Sequence, residues 1–86
     1  MGKDKIIDIG EIILQKLKNK GISVSWLADK VNCNKSNLKK TLLNTHFIYC
    51  GLLYKISIAL EEDFFSYYSQ KMEEELEVVK YTKKVV

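Results

Sequence analysis

Three side chains in this sequence have the chemistry of nucleophilic catalysis or metal binding: Cys33, Cys50 and the single histidine, His46. A nucleophilic site needs a base held beside its nucleophile, and no such pairing is visible for His46, which reads as a loop or helix-capping residue. Together the three offer at most three zinc ligands, and Cys33 falls where a small apolar group is wanted, so neither metal nor other cofactor is expected. Cys33 and Cys50 lie outside any CxxC spacing and read as reduced core thiols. With no paired acid, base or nucleophile, the chain is expected not to be an enzyme.

The remaining chemistry is cationic, and it is unevenly spread. Every cation is a lysine. From Leu14 to Thr45 seven lysines (16, 18, 20, 30, 35, 39 and 40) face the single acid Asp29, a local charge of +6. From His46 to Val86 five lysines face seven acids, a local charge of −2. Such an imbalance suits a surface that binds a polyanion by releasing its counterions, or simply a solvated lysine-rich face.

The elements that must position these lysines are short helices. With 86 residues and 10.0 kDa there is room for one small domain, and a two-domain enzyme is excluded. A 47% hydrophobic and 29% charged composition is that of a globular chain stabilised by helix packing. No apolar run approaches the roughly 20 residues of a membrane-spanning helix. Asp8 and Gly10 interrupt any signal-peptide core, so a cytoplasmic protein is expected.

Between Lys5 and Lys20, the spacing of Ile6, Ile9, Ile12, Ile13 and Leu17 predicts an amphipathic helix ended by Gly21. A second helix opens at Ser23 or Val24, carries Leu27, Ala28 and Val31, and closes at Asn32, which tolerates a left-handed backbone. Asn34 is a favoured N-cap for a third helix beginning at Lys35. A fourth, expected to be the most buried, runs from Tyr49 to Leu60, and Asp63 caps a fifth from Phe64 to about Glu75. Phe64, Tyr67, Tyr68 and Met72 are expected to face the core, with Trp26 partly buried. The last stretch, 78–86, is rich in β-branched residues and reads as a short strand or a frayed tail. The expected organisation is a domain over 1–77 and a tail over 78–86.

The stretch from Val24 to Leu43 has the requirements of a helix-turn-helix. Ala28 is small where the second helix crosses the third, Asn32 allows the turn, and Leu27, Val31, Cys33 and Leu38 fill the wedge between them. On these residues, and on the five-helix order from about Ile9 to Tyr68, the sequence resembles the phage-repressor and Cro-like helix-turn-helix family. Relatives usually carry Gln where this chain has Val24 and Gly where it has Asn32, so Val24 removes a contact that many of them make. Leu52 to Ser57 followed by Asp63-Phe64-Phe65 resembles a small-regulator subgroup, in which an acidic helix start stands where this chain has Tyr49.

The resemblance implies an all-α, five-helix, lambda-repressor-like domain that binds double-stranded DNA through its third helix and regulates transcription. Lys35, Ser36, Lys39 and Lys40 share an arc of about 140° opposite Leu38 and Leu42, with Leu43 falling inside the polar arc. Lys35 then reaches guanine O6 and N7, Ser36 either base type, and Asn37 adenine, while Lys39 and Lys40 hold phosphates. Ser25, Asn44 and Thr45 are either further phosphate contacts or ordinary capping residues. Without arginine, the commonest bidentate guanine contact is missing and binding should be salt-sensitive. A homodimer is expected, resting on the aromatic fifth helix and the tail, since one helix with few base contacts seldom gives enough specificity. The alternative is a protein-interaction module on the same fold, an antitoxin-like or phage-derived partner binder whose basic face meets an acidic protein.

Overall fold

Local capping chemistry sets most of the helix boundaries. The computed structural model describes residues 7–44 and 47–85, with side chains through Tyr81. Its described residues form five helices and no strand: α1 (Ile9–Lys20), α2 (Val24–Lys30), α3 (Lys35–Asn44), α4 (Cys50–Leu60) and α5 (Ser66–Val85). The chain is all-α, as its periodicity indicates.

Helix α1 starts at Ile9, where the Asp8 carboxylate accepts the Glu11 backbone N–H at 3.1 Å and fixes the first turn; the expected start at Lys5 lies outside the described residues. Gly21 ends it in the left-handed conformation, at φ 69° and ψ 32°. Ser23 caps α2, its Oγ accepting the Trp26 N–H at 3.1 Å. Asn32, at φ 57°, turns the chain after α2, and the Cys33 N–H donates to the Ala28 carbonyl at 2.8 Å. Asn34 caps α3, its Oδ1 accepting the Asn37 N–H at 3.1 Å. Glu61 also adopts a left-handed backbone, at φ 54°, after the last turn of α4. An L side chain is strained there, so Glu61→Gly is expected to raise the unfolding free energy by about 0.5–1 kcal/mol, measurable by urea titration.

Among the described residues, thirteen apolar side chains form one core, drawn from α1 (Ile9, Ile13, Leu17), the α2–α3 unit (Leu27, Ala28, Val31, Leu38, Leu42), α4 (Leu52, Leu53, Ile56, Leu60) and Phe64. Each large aliphatic side chain taken out of water contributes about 1.5–3 kcal/mol before the entropy of ordering is subtracted. Helix α3 lies against α1 and α2, and α2 also touches α4. Fully buried Phe64 closes the core from the step between α4 and α5. Its N–H donates to the buried Ser57 hydroxyl at 3.4 Å.

Two expectations about the C-terminal third are corrected. The segment 78–85 is helical, a continuation of α5, and is neither a strand nor a frayed tail. Phe64 and Tyr67 do turn toward the core, but Tyr68 and Met72 are exposed. Of the two thiols expected in the core, only Cys50 is misplaced. Cys33 is half-buried against the core, whereas Cys50 is exposed at the first residue of α4.

Candidate nucleic-acid interface

The α2–turn–α3 unit presents one face of α3 to solvent and fixes the other. Leu38 and Leu42 are fully buried, and the Asn34 cap holds the first turn. The helix therefore cannot roll about its axis without exposing two leucines. Lys35, Ser36, Asn37, Lys39 and Lys40 are all exposed, so the structure brings these five candidates together on one short helix. Leu43 lies among them and is 59% exposed. Ser25 is exposed on α2 and Asn44 at the end of α3, while Thr45 and His46 lie outside the described residues. The hydroxyl that caps α2 is that of Ser23, which leaves Ser25 with no part in that cap.

The lysines of the basic half do not all belong to this face. Lys16 pairs across the molecule with Glu62 at 3.1 Å, and Glu62 in turn accepts the Tyr67 hydroxyl at 3.3 Å. The hydrogen bond to that carboxylate, and then its charge, hold the Lys16 ammonium above the ordinary lysine range. Lys30 lies over the Trp26 ring, 5.3 Å from its centroid, and Trp26 is 39% exposed. Among the described residues, Lys35, Lys39 and Lys40 enter no ion pair. Three uncompensated charges on one helix face raise the local potential more than the modest net charge suggests.

Sequence reasoning missed Gly10. It is buried in the first turn of α1, where a Cβ would overlap the Leu42 backbone carbonyl of α3. This close approach sets the depth at which the C-terminal half of α3 seats on α1. A glycine within an otherwise apolar helical stripe was the available signal.

Two shallow concavities lie away from α3. One is lined by Ile7, Asp8, Glu11, Ile12, Tyr67 and neighbouring residues of α5, another by Tyr54, Ser57, Ile58 and the acids 61–63. No group of three or more His, Cys, Asp or Glu side chains among the described residues could hold a metal ion. No described helix is long and apolar enough to cross a membrane. The chain has no significant match among family models, curated proteins or solved structures.

Proposed function

We propose that this protein is a sequence-specific double-stranded DNA-binding protein that regulates transcription by occluding its site, with α3 inserted in the major groove. The observation that carries this reading is the division of α3 into two faces. Leu38 and Leu42 are locked in the core, while Lys35, Ser36, Asn37, Lys39 and Lys40 stand in solvent with no acidic partner for the lysines among the described residues. A rigid helix of 10 residues is about 15 Å long and fits a major groove about 12 Å wide when it enters at an angle. Lys35, Ser36 and Asn37 stand in the first turn, from which a recognition helix contacts base edges. Lys39 and Lys40 lie further along and are assigned to phosphates, with Ser25, Asn44 and Thr45 as outlying contacts.

Fluorescence-anisotropy titrations of random and of selected-sequence duplexes, each at two salt concentrations, test this reading. The expected result is binding that weakens steeply with salt and enriches a palindromic site. Lys40→Ala should weaken all sequences alike and flatten the logarithmic salt slope by about 0.9. Asn37→Ala should instead relax preference at one base pair, by about 1–3 kcal/mol. Absence of binding to either pool at low salt overturns the proposal. Leu43, exposed within the polar face, is the observation that favours the second reading, in which that face meets an acidic protein.

A further inference from the structure

We propose that the acid-rimmed apolar groove where α4 steps into α5 docks an amphipathic helix of another protein, one that carries a lysine or arginine beside its apolar anchors. The floor of this groove is Tyr54 and Ile58 of α4 and Phe65 of the step, and its rim is Glu61, Glu62 and Asp63. Helix α4 turns its other side to the core. Leu52, Leu53, Ile56 and Leu60 are buried there, whereas Tyr54 is 60% exposed and Ile58 62%. These two stand four positions apart, with Cβ atoms about 6 Å from one another. A facing helix sets its own apolar anchors at the same interval, so the two ridges can interdigitate.

Charge selects the occupant. Glu62 is already committed, to Lys16 at 3.1 Å and to the Tyr67 hydroxyl at 3.3 Å. Glu61 and Asp63 are exposed, and among the described residues neither enters an ion pair. The Asp63 carboxylate accepts the Phe65 N–H at 3.0 Å, which holds it at the rim. Lys30 and Lys55 rim the adjoining concavity, beyond Tyr54 and Ile58, so the acids gather at one end of the apolar floor. A cationic side chain on the docked helix therefore has one favourable seat, which fixes the direction in which the helix lies. A second copy of this chain fits poorly, because a two-fold axis through the groove sets its acids against the same acids of the partner. The lining contains no residue of α3, and the docking does not rest on the DNA-binding reading.

The test is selection from a phage library of random peptides, each about 12 residues or about 18 Å long as a helix, on the immobilised full chain. Enrichment of peptides that place Lys or Arg within one turn of a Leu, Ile or Phe pair is expected. An enriched peptide labelled with fluorescein should bind in solution, and Ile58→Asp should weaken it at least about tenfold. Ile58 stands in solvent, so that variant should keep the circular dichroism spectrum and thermal midpoint of the unsubstituted chain. Glu61→Gly separates docking from structural damage, since it should raise stability by relieving a left-handed L residue and yet weaken the peptide about two- to fivefold. No enrichment, enrichment of acidic peptides alone, or affinity that survives Ile58→Asp overturns the proposal. Self-association of the full chain that Ile58→Asp abolishes also overturns it, because the groove then belongs to a second copy. A chain that binds the peptide and no DNA fails only the functional reading, and one that binds DNA and no peptide fails only the docking.

Discussion

Replacing Phe64 by alanine is expected to remove about 3–5 kcal/mol of stability, enough to leave a domain of this size close to unfolded. Phe64 is fully buried and is the largest side chain in the core. It sits where the chain is not helical, between the left-handed residue Glu61 and the first turn of α5. Its ring stacks on Tyr67 with centroids 6.2 Å apart and planes 19° from parallel. Its N–H is committed to Ser57. Truncation opens a cavity whose walls include residues held by helices on two sides, so collapse is limited and the cavity term adds to the lost transfer energy. Urea unfolding followed by circular dichroism measures the loss. A change below about 1 kcal/mol would mean that α5 is anchored elsewhere. Tyr67→Phe, which keeps the ring and removes only the hydroxyl bonded to Glu62, should cost about 1 kcal/mol or less.

The features legible in the sequence are those set by residues close together in it. Gly21, Ser23, Asn32 and Asn34 each act on a backbone group within a few positions, and all four behave as their chemistry dictates. The two faces of α3 were legible for the same reason, since 100° per residue decides which side chains share a side. The extent of α5 was not. Val78, Val79, Thr82, Val85 and Val86 are β-branched, but strand formation needs a partner strand, and none is described. Helix costs such residues only tenths of a kcal/mol each, and the Lys71–Glu75 pair at 3.3 Å supports the preceding turn.

Contacts between distant segments were invisible. Lys16 counts toward the basic half, yet its charge is matched by Glu62 from the acidic one. Periodicity identified the stripe through Tyr68 and Met72 as apolar but could not say whether the covering surface belongs to the same molecule. The seating of α3 on Gly10 was marked only by a glycine in the apolar stripe of α1, which does not say what approaches it. Whether α3 reads DNA depends on this last contact as much as on the lysines it carries, because groove contacts are made or lost within about 0.5 Å.

Gly10→Val is therefore expected to be the most damaging single substitution outside the apolar core. The added Cβ would meet the carbonyl oxygen, carbonyl carbon and Cα of Leu42, all of them backbone atoms. No rotamer change can relieve that overlap, so either α1 or α3 must move. Leu42 is fully buried, and lifting α3 would withdraw it and Leu38 from the core. A cost of about 3 kcal/mol, at the upper end for overpacking, follows, together with an unfolding midpoint lower by roughly 12–24 °C. Gly51→Ala is the matched control. There the Cβ comes within 3.1 Å only of the ring of Tyr49, an exposed side chain free to swing away, and the gain in helix propensity makes the change neutral or stabilising by up to about 1 kcal/mol. Thermal unfolding of both variants separates a steric cause from a general intolerance of glycine replacement. Equal losses in the two would mean that the approach of α1 to α3 is not what positions the helix. If the Gly10→Val protein folds at low temperature, its α3 is displaced while every proposed DNA contact keeps its side chain. DNA affinity should then fall by more than in Lys40→Ala, because a shifted helix misplaces all of its contacts at once.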